Sequence, residues 1–152
     1  METLVDHIIA TLRTAKAGEP AHNEALLDAA FYFERARGMQ ELGMGWSKAV
    51  LAARITNTDT ARLKTALVEY VQQGGDALFS LSKCDDPKLK GVFIQVLRRM
   101  LDGGAGQLYQ AMIGLENLGE RPFQDRRSKS ILDVEENRRS ARQYLSDLDK
   151  MR

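Results

Sequence analysis

Apolar residues recur three and four positions apart along most of this chain, and glycine or proline interrupts the pattern between segments. Residues 21–37, for example, place Leu26, Ala30 and Phe33 on one face before Gly38. Residues at this spacing share one side of an α-helix, because a helical turn contains about 3.6 residues. We find no segment with the strict alternation that predicts a half-buried β-strand. The sequence therefore predicts a series of helices joined by short connections.

The predicted fold class is all-α, a single-domain bundle of about five to seven helices over residues 1–152. The chain has 152 residues, of which 43% are hydrophobic and 28% are charged. A domain of this length buries roughly two-thirds of its unfolded surface, so it needs no metal ion or disulfide to fold. The last helix is predicted to begin near Ile131, because Ser130 and Asp133 have the spacing of a capping box.

Cysteine usage and hydropathy indicate a cytoplasmic protein. Cys84 is the only cysteine in the chain, which excludes an internal disulfide and fits a reducing compartment. The first residues lack the basic start and apolar centre of a secretion signal. The uncharged run at 103–115 contains 13 residues, too few to cross a bilayer as a helix. We therefore expect no association with a membrane.

Residues that could form a catalytic or metal site are sparse. His7 and His22 are the only histidines, which excludes a site built from several histidines of one chain. Glu19 and His22 have the spacing used by helical di-iron bundles, but such bundles need a second pair. Cys84 has no activating base beside it in the sequence, and the glycines at 103–106 lack the strand and lysine of a phosphate loop. The sequence predicts no catalytic, cofactor-binding or metal-binding residue, and it disfavours an enzyme.

The C-terminal helix, residues 131–152, departs furthest from an ordinary core helix. Its narrow apolar stripe contains Arg138 at a position where a coiled-coil seam favours an apolar side chain. A charged residue there disfavours generic pairing and can select an acidic partner. We therefore expect a docking or oligomerisation helix with Arg138, Arg139 and Arg142 as partner-binding residues, the alternative being a solvated amphipathic helix. The stripe comprises Ile131, Val134, Arg138, Ala141, Leu145 and Leu148.

Two aromatic residues are further candidates for partner binding. Tyr32 lies between Phe31 and Phe33, and three consecutive helical residues cannot all face one core. Trp46 lies between a glycine and a short helix, where it can serve as a surface anchor. Burial in the core is the alternative interpretation for both residues.

Residues 49–67 have the outline of a helix-turn-helix, which gives an alternative function in nucleic-acid binding. A short helix, a tight connection at Asn57 and a second helix follow one another, and Asn57 is expected to take a positive φ in the turn. Near the start of the second helix, the residues available to phosphates or bases are Thr58, Thr60, Arg62 and Lys64. A second basic group lies before the C-terminal helix and consists of Arg126, Arg127 and Lys129.

The absence of a catalytic or metal-binding constellation favours a protein that works through contact. No segment matches a motif specific enough to name a family. We expect a non-enzymatic helical adaptor or assembly subunit that binds a protein partner or a second copy of itself. The alternative is a nucleic-acid-binding protein, for instance a subunit of a nucleoprotein complex, which would use the 49–67 hairpin or the C-terminal arginines.

Overall fold

The computed structural model describes residues 2–39, 45–120 and 131–151, and within these ranges every regular element is helical. This confirms the predicted all-α class. The described residues contain eight α-helices, more than the five to seven expected, because α3 and α5 are helices of only five residues each. The α-helices are α1 (Leu4–Thr14), α2 (Pro20–Ala36), α3 (Lys48–Ala52), α4 (Asn57–Gln72), α5 (Leu78–Ser82), α6 (Lys90–Met100), α7 (Ala105–Asn117) and α8 (Val134–Lys150).

The helices group into two compact units, Met1–Cys84 and Asp85–Arg152. The first unit contains α1 to α5, and the second contains a short 3-10 helix at Pro87–Leu89 followed by α6 to α8. Each unit has its own buried apolar side chains. The prediction that residues 1–152 form one domain stays a prediction.

In the first unit, α2 is the central helix. It packs against α1, α3 and α5, while α4 packs against α1 and α5. Tyr32 and Phe33 on α2 are almost completely buried, with their rings edge to face at 6.1 Å between centroids. The core around them also contains Ile8, Leu63 and Leu67. Phe33 belongs to the stripe that predicted α2, whereas Tyr32, a candidate for partner binding in the sequence, also lies in this core.

Side-chain caps fix where α1 and α4 begin. Thr3 and Asp6 form a capping box at α1, in which each side chain accepts a hydrogen bond from the other residue's backbone N–H. Thr56 caps α4 by accepting from the N–H of Asp59. The positive φ predicted for Asn57 is wrong, because Asn57 is already the first helical residue of α4. Thr56, in an extended conformation, caps the helix directly, so the connection needs no residue with a positive φ.

In the second unit, α6 and α7 pack closely because α7 carries a glycine at the crossing. A Cβ atom built on Gly114 would lie 2.6 Å from the ring of Phe93, which is 1% exposed. The glycine therefore gives the phenylalanine ring the space in which it packs.

The predicted start of the C-terminal helix is wrong by three residues. The helix α8 begins at Val134, and Asp133, which precedes it, makes no side-chain capping bond to the helix. Ser130, the other member of the predicted capping box, lies outside the described residues. The helix α8 packs on α6 and α7, and its buried residues are Asn137, Ala141, Tyr144 and Leu145, of which Ala141 and Leu145 belong to the predicted apolar stripe.

Candidate functional site

The short helix α3 is held in place from α2 at both of its ends. Five residues are too few for a helix to be stable without tertiary contacts. At the N-terminus, the Ser47 hydroxyl accepts from the N–H of Val50 at 3.1 Å and donates to Asp28 Oδ1 at 3.0 Å. At the C-terminus, Arg35 Nη1 donates to the carbonyl of Val50 at 3.1 Å and to the carbonyl of Ala53. These bonds satisfy helix-end groups and fix the position of α3.

The carboxylate of Asp28, which accepts the bond from Ser47, is destabilised by its burial. Its residue surface is only 7% exposed. Burial raises the pKa of the Asp28 carboxyl, the hydrogen bond from Ser47 lowers it in part, and the nearby charge of Glu24 raises it further. The charged form is therefore less favourable in the folded protein than in the unfolded chain.

We expect Asp28→Asn to be more stable than the wild type at pH 7, because the amide oxygen still accepts from Ser47 and carries no charge. In the wild type, the folded chain binds more protons than the unfolded chain between the ordinary pKa of 3.8 and the raised folded pKa. Its free energy of unfolding therefore falls as the pH rises through that window and stays lower above it.

The measurement is urea unfolding of both proteins from about pH 3 to pH 8. The advantage of Asp28→Asn should shrink as the pH falls into the window below neutrality. A difference that does not change with pH would show that desolvation of the Asp28 charge is not its cause.

An open groove with a volume of about 540 Å³ lies where the start of α1, the helix α3 and the start of α4 meet. We call this surface the docking groove; it is lined by residues 2–5 and 7, Tyr32, residues 49 and 52–54, and Asp59. Most of its lining is apolar, from Leu4, Val5 and the alanines of α3. The small alanine side chains leave the space that forms the groove.

The helix α3 exposes most of its apolar residues. Ala49 and Ala52, which line the groove, are exposed. Leu51, on the same helix but outside the lining, is 48% exposed. Of the five residues of α3, Val50 is the one that is buried. The helix therefore presents three apolar residues to solvent and buries one.

Arg54 is a cation at the rim of the docking groove for which the described residues provide no ion-pair partner. Glu2 Oε1 lies 3.3 Å from His7 Nδ1, and Asp59 Oδ1 lies 2.9 Å from Arg62 Nη1. Arg54 is exposed, and no carboxylate of the described ranges lies within ion-pair distance of it. The rim therefore favours an acidic group beside the apolar surface.

The two aromatic candidates from the sequence lie near this site. Tyr32 is buried, and its hydroxyl is 3.3 Å from Thr60 Oγ1 at the inner side of the docking groove. Trp46 is half-buried just before the cap of α3. The sequence reasoning missed Arg35, Ala52 and Arg54. The groove is assembled from three separate segments, so no local sequence pattern identifies its residues. Ser47 is the exception near the site, since a serine directly before a helix is a typical N-cap.

The residues predicted to contact nucleic acid are largely engaged within the first unit. Thr60 donates to the carbonyl of Thr56 at 2.7 Å. Arg62 pairs with Asp6 at 2.7 Å and with Asp59 at 2.9 Å. This arginine, by hydrogen bonding, lowers the pKa of Asp6 to about 2, with help from Thr3.

The other two predicted residues of the 49–67 segment differ in exposure. Thr58 is exposed and Lys64 is half-buried. The helix α3 packs on α2, and α4 packs on α1 and α5. The second basic group, Arg126, Arg127 and Lys129, lies outside the described residues. Nucleic-acid binding stays a prediction that these contacts do not favour.

The arginines of α8 bond mainly within the second unit. Arg138 Nη1 pairs with Glu135 at 3.1 Å, and its Nη2 donates to the carbonyl of Gly103 at 3.2 Å. Arg142 pairs with Asp102 at 3.0 Å, and Arg139 is exposed. The arginine in the apolar stripe thus has partners inside its own unit, and α8 packs on α6 and α7.

A second groove, of about 630 Å³, lies between α6 and α8. It has two leucines and three basic residues in its lining, but Arg98 is paired with Asp149 at 2.8 Å and Arg142 is paired with Asp102. Both arginines thus have carboxylate partners, and this groove offers less apolar surface than the docking groove.

The residues noted for metal chemistry do not come together in the part of the chain that the structure describes. His22 is buried, with Nε2 2.9 Å from the hydroxyl of Tyr70, while Glu19 is exposed. Within the described ranges, no cluster of three or more His, Cys, Asp or Glu side chains could hold a metal ion. None of the described helices combines the length and apolar character needed to span a membrane.

Comparison with known protein families, with characterised proteins and with solved structures found no match to this chain.

Proposed function

We propose that this protein is a non-enzymatic helical adaptor or assembly subunit that binds other proteins through the docking groove. The observation that carries the proposal is the combination of an open apolar groove, the exposed alanines of α3 in its lining, and Arg54 at its rim, which has no carboxylate of the described ranges within ion-pair distance. Exposed apolar surface rimmed by polar groups is typical of protein interaction sites.

The shape of the docking groove supports a protein partner over a small molecule. Pockets for small ligands enclose most of the ligand's surface, commonly about 70–90% of it. The docking groove is open to solvent, and its apolar lining includes the exposed alanines Ala49 and Ala52 of α3. A partner helix or extended segment can insert one or two apolar side chains and cover the rest from outside.

The charges at the groove support a protein partner over nucleic acid. Binding to a phosphate backbone requires several unpaired cations. Here Arg54 is accompanied by Glu2 and Asp59 on the same rim. A partner segment that places an apolar anchor in the groove and one acidic residue near Arg54 complements this arrangement.

The proposal predicts that Ala49→Glu abolishes partner capture, because the longer, charged side chain fills the groove and repels an acidic partner. Glutamate is tolerated near the N-terminus of a helix, so α3 should persist. The measurement is affinity purification from the native host followed by mass spectrometry, with and without nuclease. Wild-type protein should retain its partners after nuclease treatment, and Ala49→Glu should lose them.

Ala61→Glu is the matched control, since Ala61 is an exposed alanine on α4 that does not line the groove. It should capture the same partners as the wild type. Equal capture by both glutamate variants, or loss of all partners on nuclease treatment, would contradict the proposal.

A further inference from the structure

Two adjacent aliphatic side chains project into solvent immediately before α8. Leu132 is 84% exposed and Ile131 is 41% exposed. Asp133, the next residue, is also exposed. Among the described residues, Leu132 is the most exposed of the large hydrophobic side chains. An exposed aliphatic side chain of this size can anchor a contact with another molecule.

The chemistry of this segment matches that of the docking groove. The groove offers an apolar lining next to a positive charge at Arg54, and residues 131–133 offer two aliphatic side chains next to a negative charge. A volume of about 540 Å³ lies within the range of pockets that accept ligands larger than two aliphatic side chains. We infer that residues 131–133 of one copy bind in the docking groove of a second copy, with Asp133 facing Arg54.

This inference rests on the proposed function, because it uses the same groove as a protein-docking site and names its occupant. The groove and the 131–133 segment are different surfaces. Their contact either repeats head to tail, which produces chains or a closed ring, or is made twice in a two-fold symmetric dimer. The anchor is small compared with a standard interface of about 1,600 Å², so we expect a dissociation constant on the order of 0.1 mM.

The test is sedimentation velocity of the full-length chain from about 10 µM to 1 mM, which spans the expected dissociation constant. Wild-type protein should form larger species as the concentration rises. Leu132→Ser removes the main anchor and Arg54→Glu reverses the charge at the groove, and each should weaken association by about tenfold or more. Leu27→Ser, at a leucine that is 47% exposed on α2, is the control and should associate like the wild type.

Mixing the two weakened variants gives the sharpest result. The Leu132→Ser chain keeps an intact groove, and the Arg54→Glu chain keeps an intact 131–133 segment. One productive contact can therefore form, and an equimolar mixture should yield dimers but no larger species. An interface that does not pair the 131–133 segment with the docking groove would not regain association on mixing.

A wild-type chain that remains monomeric up to about 1 mM would overturn the inference. Association that is lost in Leu132→Ser but unaffected by Arg54→Glu and Ala49→Glu would also overturn it, since the groove would not be the receptor. In either case, continued capture of a different protein by the wild type, and its loss in Ala49→Glu, would leave the proposed function standing.

Discussion

Arg35→Ala is expected to lower the free energy of unfolding of the first unit by about 2–4 kcal/mol, since hydrogen bonds from a charged donor contribute about 1.5–3 kcal/mol each. Arg35 is half-buried and donates to the carbonyls of Val50 and Ala53 at the end of α3. Without these bonds, a five-residue helix loses its C-terminal anchor, and the docking groove loses one wall.

Urea unfolding measures the global effect, and hydrogen exchange measures the local one. The amide of Leu51 bonds to Ser47 and the amide of Ala53 bonds to Val50, and both should exchange faster in Arg35→Ala. Arg37→Ala is the matched control, because Arg37 ends the same helix and donates from the surface to the carbonyl of Lys83 at 3.0 Å. Exchange and stability that are equal in the two variants would show that Arg35 does not hold α3.

Gly114→Ala is expected to destabilise the second unit by about 1–3 kcal/mol, the usual cost of overpacking a core. The added Cβ would lie 2.6 Å from Phe93 Cε1, and the Phe93 ring is buried and cannot move aside freely. The clash outweighs the gain of up to about 1 kcal/mol that alanine brings to a helix interior. Urea unfolding followed by circular dichroism is the measurement.

Gly91→Ala is the matched control for this variant. Gly91 lies on the exposed side of α6, and a Cβ atom there meets nothing within 4 Å. It should therefore be stabilised by about 0.5–1 kcal/mol through helix propensity alone. A stabilised Gly114→Ala would show that α6 and α7 do not pack as closely as described.

Helices that bury a regular stripe could be predicted from the sequence, because their pattern is local. The stripe at Leu26, Ala30 and Phe33 predicts α2. The position of α3 could not be predicted in this way. It depends on Asp28 and Arg35, which lie on the preceding helix and reach α3 only after folding.

The role of Arg138 on α8 also depends on a contact between residues that are far apart in the sequence. The sequence shows Arg138 in an apolar stripe, and this predicts a partner for the arginine. In the described residues its Nη2 atom donates to the carbonyl of Gly103, 35 positions away, which no local pattern reveals. The docking groove is a similar case, since it combines residues 2–7, Tyr32 and residues 49–59.

The most direct test of the docking groove is photo-crosslinking in the native host, with benzoylphenylalanine placed at Ala52 in the groove or at Ala61 outside it. Both alanines are exposed, so both probes are accessible. If a protein binds in the docking groove, the probe at position 52 crosslinks to it and the probe at position 61 does not. Crosslinking at position 61 but not at 52, or crosslinking of position 52 to nucleic acid, would contradict the proposed function.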